Sequence, residues 1–121
     1  MPEERKNKMV KHIILWKLKE EFSEEEVGPV VPGIGHGNAV FFTVAGIKEG
    51  LEGLAGQIPG MTEIKVRIDC LPSSTVDVML DSTFESAEAL KAYSTHPKHV
   101  AVADGKVRPY TAVRSCMDYE F

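Results

Sequence analysis

The chain is short of cysteine and tryptophan, has no surplus of positive charge, and has no long apolar run. Two cysteines in 121 residues, Cys70 and Cys116, are too few for a disulfide framework. Lys and Arg number 14 against 18 Asp and Glu, a formal charge of −4, so the chain has no basic run suited to nucleic acid or to an anionic membrane surface. No apolar stretch approaches the roughly 18 residues of a membrane span. The opening MPEERKNKM is charged, and no apolar segment ending in a small-residue cleavage site follows it, so no signal peptide is expected. Neither a Gly-x-Ser-x-Gly element nor a P-loop is present. Gly33-x-Gly35-x-Gly37 lacks the G-x-G-x-x-G spacing and follows no strand, which rejects dinucleotide binding. These absences leave the expectation of a cytoplasmic domain with no nucleic-acid partner, no membrane partner and no cofactor.

The remaining composition is ordinary for a single soluble domain, at 43% hydrophobic and 26% charged residues. At this length one core forms without disulfide or metal staples. Residues 1–8 are polar and read as a frayed tail, leaving 9–121 as the domain. Val10 to Lys19 alternates as a strand, with Val10, His12, Ile14, Trp16 and Leu18 on one face. Its centre is apolar on both faces, which suits an inner strand. Ser23-Glu-Glu-Glu26 is a capping box that should open a helix. The segment 28–42 is irregular, because two prolines and four glycines between Gly28 and Gly37 cannot propagate a helix.

A second helix is expected from Asn38 as N-cap to Pro59-Gly60, with Val44, Ile47, Leu51, Leu54 and Ile58 as one apolar stripe. Thr62 to Leu71 and Val76 to Phe84 read as a hairpin, with Ile64, Val66, Ile68 and Cys70 facing in. Ser86 caps a helix that reaches Tyr93, and Pro97 starts a further turn through Ala103. Asp104-Gly105 reads as a turn, and Tyr110 to Phe121 as the last strand, with Val113, Ser115, Met117, Tyr119 and Phe121 on one face.

The order β-α-β-β-α-β predicts an α+β, ferredoxin-like fold with an antiparallel four-stranded sheet and two helices on one face. The opposite face needs cover, which a second copy would supply in a dimeric α+β barrel. In the strand order 4-1-3-2 the second and fourth strands are opposite edges, roughly 14 Å apart. A disulfide needs Cα atoms within about 7 Å, so Cys70 and Cys116 should stay reduced within one subunit.

Chemistry centres on the histidines. His96 and His99 lie in Tyr93-Ser-Thr-His-Pro-Lys-His99, just after a helix. Imidazole titrates near neutrality, so either could move a proton, with Tyr93 orienting a carbonyl. Either could equally cap a helix or pack. His12 shares a face with Ile14 and Trp16, where a lone histidine is more often a hydrogen-bonded core group. His36 reads as a surface residue in the irregular loop. His96 and His99 with Asp104 could be assembled around a metal, but no spacing matches a zinc pattern, so no metal is expected. Asp118 and Glu120 should face solvent, and neither cysteine has a cationic setting that would activate a thiol.

Several of these pieces in order resemble the stress-responsive A/B barrel domain (Dabb) family. They are Met9-Val-Lys-His-Ile-Ile-Leu-Trp-Lys-Leu-Lys19, the Ser23-Glu-Glu-Glu26 cap, Gln57-Ile-Pro-Gly60, Ser82-Thr-Phe-Glu-Ser86, Tyr93-Ser-Thr-His-Pro-Lys-His-Val-Ala-Val102 and Val113-Arg-Ser-Cys-Met-Asp-Tyr119. The resemblance implies a homodimeric barrel, and no single activity. It includes a distant similarity to olivetolic acid cyclase, a plant member that closes a linear polyketide without a cofactor. That similarity implies Tyr93 and His99 as catalytic residues, and His12, Ile14 and Trp16 as substrate-binding pocket wall. One departure stands out. Family members run one helix from the Ser-Glu-Glu-Glu cap to the Ile-Pro-Gly turn, and here Gly28 to Phe42 interrupts it. That segment is expected to cap the cavity or pack on the partner subunit.

Two function classes follow. One is a cyclase-like or lyase-like enzyme using a His/Tyr pair. The other is a non-catalytic, stress-responsive dimer that binds a small apolar ligand or serves a structural role. A cofactor-free or haem-degrading monooxygenase is a third, carried by fold analogy alone.

Overall fold

The computed structural model describes residues 8–23 and 38–121. The strand β1 (Val10–Leu18) buries Val10, His12, Ile14, Trp16 and Leu18 and leaves the intervening residues half-buried or exposed. A single helical turn, α1 (Glu20–Ser23), follows. It begins before Ser23 rather than at it, and Glu24 to Glu26 of the capping box lie outside the described residues. So does most of the irregular 28–42 segment, including His36 and the three spaced glycines.

Helix α2 (Asn38–Glu52) starts where Asn38 suggests but ends at Glu52, ahead of the expected Pro59-Gly60 stop. Gly53 follows at once, and Gly56 takes a positive φ of 77°, so a regular helix does not continue. The apolar stripe survives because tight turns carry the chain onward, with Leu54 N–H donating to Leu51 O and Gln57 N–H to Leu54 O. Val44, Ile47, Leu51, Leu54 and Ile58 are therefore all buried. Each such side chain contributes about 1.5–3 kcal/mol by leaving water.

Gly60 has φ 81°, and a Cβ there would come within 2.5 Å of Ala89 Cβ, so the Ile-Pro-Gly turn packs directly on the next helix. The hairpin strands are shorter than their alternation suggests: β2 (Met61–Arg67) and β3 (Val78–Phe84). Cys70 is a correction. The strand has ended before it, so the inward alternation no longer applies, and Cys70 is exposed. Ser74 N–H donates to Leu71 O and closes the expected Pro72-Ser73-Ser74 turn. Glu52 accepts from Val66 N–H at 2.9 Å, and Lys48 donates to Val66 O at 2.8 Å, so α2 covers part of the β2 edge.

Helix α3 (Ala87–Thr95) is capped as expected: Ser86 Oγ accepts from Ala89 N–H. Helix α4 (Pro97–Val102) has Pro97 in its first turn. Asp104-Gly105 is not a separate turn. It lies inside a π-helical turn, Ala103–Val107, that prolongs α4, and a 3-10 turn, Arg108–Tyr110, leads into β4 (Thr111–Glu120).

The sheet order is β2-β3-β1-β4, antiparallel throughout, which is the expected 4-1-3-2 order read from the other edge. The fold is α+β and ferredoxin-like. Cys70 and Cys116 are both free. The helices cover β3, β1 and part of β2. Strand β4 extends past them and is open on both sides. One side carries Val113 at 54% exposure and Met117 at 65%, with Tyr119 and Phe121 also exposed. No helix among the described residues is long and apolar enough to cross a membrane.

Candidate acid–base site

The site is assembled from both ends of the chain. Antiparallel pairing of β1 with β4 sets His12 opposite Asp118 and Ile14 opposite Cys116. His12 is buried, and its Nδ1 lies 2.5 Å from Asp118 Oδ1. The carboxylate accepts, so Nδ1 carries the proton and the other ring nitrogen of a neutral His12 is the acceptor. Fully buried Ser82 donates to the His12 carbonyl at 2.9 Å and ties this part of β1 to β3. Cys116 Sγ lies 3.5 Å from Asp118 Oδ1 and 3.8 Å from His12 Nδ1.

The second half of the site comes from α3 and α4. Seven residues past its cap, two turns of helix, α3 presents Tyr93 to the sheet. Tyr93 is only 2% exposed and packs on Phe84, with ring centroids 5.0 Å apart. His12 meets Tyr93 edge-on at 6.2 Å. His96 then joins the two helices. Its N–H donates to Tyr93 O, and its Nδ1 accepts from Lys98 N–H at 3.1 Å. His96 is thus a helix cap. This junction returns His99 to Tyr93, and the rings lie 4.1 Å apart, tilted by 37°.

Tyr93 Oη and His99 Nδ1 are buried, and neither has a hydrogen-bond partner. Burial pushes the Tyr93 phenol up to about 12, so it remains a neutral donor. Burial also holds His99 below its ordinary value, reinforced by the positive charges of Arg108 and Arg114; a backbone hydrogen bond with Ser94 works the other way. His99 is therefore a neutral imidazole at pH 7. A neutral donor, Tyr93 Oη, and a neutral acceptor, His99 Nδ1, are both without partners on neighbouring rings.

Tyr93, His99 and His12 are therefore gathered in one place. Ile14 and Trp16 lie on the same face of β1 within the main hydrophobic core. His96 and Asp104 take other roles, the latter pairing with Arg108. A groove of about 350 Å³ near the β2–β3 connection, lined by Leu15, Cys70 and Met79 among others, holds none of the candidate residues.

Asp118 is exposed, as expected, and it is in addition the hydrogen-bond partner of buried His12. His12, Cys116 and Asp118 are also the one set among the described residues whose ligand atoms could hold a metal. The alternation of β4 puts Cys116 and Asp118 on one face, but the β1–β4 register that brings them to His12 cannot be read from one sequence.

A family model described as the stress responsive A/B barrel domain matches residues 10–121. A dimeric protein of unknown function with a ferredoxin-like fold from Bacteroides fragilis is 32% identical, with 93% of this chain and 96% of that one covered and a TM-score of 0.74. A Dabb-family protein with a ferredoxin-like fold from Mesorhizobium loti is 19% identical, with 93% and 95% covered and a TM-score of 0.62. A hydroxynitrile lyase from Passiflora edulis is 18% identical, with 95% and 94% covered and a TM-score of 0.64. No match was found among curated proteins.

Proposed function

This chain belongs to the stress responsive A/B barrel domain family, and from that premise we propose that it is an acid–base catalyst acting on a small carbonyl compound, with His99 as base and Tyr93 as oxyanion donor. The observation that carries this reading is the stacked Tyr93–His99 pair, in which Tyr93 Oη and His99 Nδ1 are buried without partners. Leaving such a group unsatisfied costs about 1–3 kcal/mol. A bound carbonyl would accept from Tyr93 Oη, while a C–H beside it meets His99 Nδ1.

His99 takes the proton from carbon, and Tyr93 donates to the carbonyl oxygen as negative charge grows on it. The resulting enolate either attacks a second carbonyl, whose alkoxide takes the proton back from His99, as in an aldol closure, or expels a leaving group from the neighbouring carbon and forms a C=C bond, as in a lyase. A positioned base contributes typically about 10²–10⁴-fold, and one oxyanion donor about 3–4 kcal/mol. His12, fixed by Asp118, offers an acceptor for a substrate hydroxyl. Ile14 and Trp16 supply the apolar wall. The hydroxynitrile lyase, at 18% identity, contributes the fold alone.

A second copy of the chain covers the open sheet face. Exposed Val113, Met117, Tyr119 and Phe121 form its apolar strip, and the Bacteroides fragilis protein is described as dimeric. Met117→Lys should convert the dimer to monomer in light scattering.

The decisive experiment is turnover of β-polyketone substrates, together with deuterium uptake at the carbon between their carbonyls. His99→Ala and Tyr93→Phe should each lose most of the acceleration. A wild type with no acceleration, or a His99→Ala variant as active as wild type, overturns the reading. Saturable binding of such compounds without turnover would instead favour the small-ligand carrier.

A further inference from the structure

We infer that His12, Cys116 and Asp118 form a three-ligand site for a divalent transition metal of the zinc type, with a fourth position open. The inference does not rest on the acid–base reading, since it uses neither Tyr93 nor His99, but the two share His12: an ion on its Nδ1 takes away the acceptor proposed there for a substrate hydroxyl.

The geometry is close to what such an ion requires. Typical zinc bond lengths put the edges of a tetrahedral N, S, O set at about 3.5 Å for S···N, 3.5 Å for S···O and 3.3 Å for N···O. The corresponding separations are 3.8 Å, 3.5 Å and 2.5 Å. The S···O edge already matches, and the S···N edge is longer than ideal by about 0.3 Å. The third is a direct hydrogen bond, and it opens by less than about 1 Å when an ion replaces the shared proton.

The chemistry of the set is selective. A thiolate, a carboxylate and a neutral imidazole balance the charge of one divalent ion. The thiol and imidazole favour zinc or cobalt over magnesium or calcium, which take oxygen ligands. On binding, the Cys116 thiol releases its proton to solvent. The His12 proton moves from Nδ1 to the other ring nitrogen, freeing the Nδ1 lone pair, and Asp118 contributes an oxygen it already presents. Burial and then the neighbouring Asp118 hold the Cys116 thiol above its ordinary value, with Arg114, two residues away on the same face of β4, working the other way; the ion therefore has to displace the thiol proton.

The scaffold is rigid and accessible. Cys116 and Asp118 lie two residues apart on one face of a ten-residue strand, paired residue by residue with β1. His12 is held from behind by the sheet, whereas Cys116 and Asp118 are exposed, which leaves an entry path. Sites with three protein ligands and an open position are those at which zinc also binds water or substrate.

The test uses the full chain, stripped of metal and titrated with cobalt(II) and zinc. One ion per chain is expected, with the near-ultraviolet thiolate-to-cobalt absorption and the intense visible bands of four-coordinate cobalt. Cys116→Ser should abolish the thiolate absorption and weaken binding by more than about 100-fold, beyond the effect of losing an outer-sphere partner. Asp118→Asn should weaken binding and keep the absorption. Both positions are exposed, so circular dichroism should show an intact fold; if Asp118→Asn fails this check, Cys116→Ser alone decides. Cys70→Ser is the control and should bind as wild type does. Absence of saturable binding, or a thiolate absorption that survives Cys116→Ser and disappears in Cys70→Ser, overturns the inference.

Discussion

Two histidines meet at Tyr93, and the chain treats them in opposite ways. His12 is on a central strand, and its Nδ1 is tied to Asp118 at 2.5 Å. His99 is on a six-residue helix after a proline, and its Nδ1 has no partner although it is buried. A partnered imidazole is oriented and its tautomer is set. One with a buried ring nitrogen left without a partner is less stable but free to react at that atom. Position in the fold explains the difference: β1 has a strand beside it that supplies a carboxylate, while the α3–α4 junction faces an aromatic ring.

This contrast is broken most severely at His99. His99→Ala should lower turnover of a β-polyketone by about 10²–10⁴-fold, measured as kcat/KM. Asp118→Asn should lower it far less, because the amide oxygen still accepts from His12 Nδ1. Equal losses in the two variants would make His12 the base and reverse the roles assigned here.

Tyr93 sharpens the contrast through stability. Its hydroxyl is buried and unpartnered, so Tyr93→Phe removes an unsatisfied polar group and keeps the ring packing on Phe84. The variant should be more stable by about 1 kcal/mol, read from the urea midpoint, while losing activity. A gain in stability coupled to a loss of function is the mark of a site held at a cost to the fold. Asp118→Asn should move stability the other way by less than about 1 kcal/mol, because the amide oxygen keeps the hydrogen bond and only the carboxylate charge is lost.

The same contrast limits what the sequence could reveal. Alternation and turn residues suffice for β1, α3 and the Ser86 cap, because each depends on neighbours a few residues away, and the order of elements then gives the sheet order through the ferredoxin-like topology. The pairing of Tyr93 with His99 is nearly local and is also visible, six residues apart across a proline. His12 with Asp118 is not, since 106 residues separate them and only strand register joins them. Asp118 therefore reads as a solvent-facing carboxylate until β4 is docked on β1. Cys70 fails for a related reason: alternation continues in the letters after the strand has ended in space.

The smallest effect is a pH dependence. His99 has a folded-state value below its ordinary 6.5, chiefly through burial. The unfolded chain therefore takes up a proton more readily as pH falls. Stability from keeping His99 neutral is fully present above 6.5 and is lost as pH drops through the lower folded value. Glu52 responds in a separate, more acidic window. Burial opposes its ionisation, but Lys48 and the Val66 N–H outweigh burial and hold the carboxyl below 4.5, so its contribution is lost only as pH falls through that lower value. Urea midpoints measured from about pH 7 down to about pH 5 should decline in wild type and decline less in His99→Gln, which cannot titrate. In the same window the acid limb of kcat/KM should fall below 6.5, because the base form of His99 persists there. A midpoint slope unchanged by His99→Gln would mean that the imidazole is solvated in the folded chain, and the distinction between the two histidines would then rest on Asp118 alone.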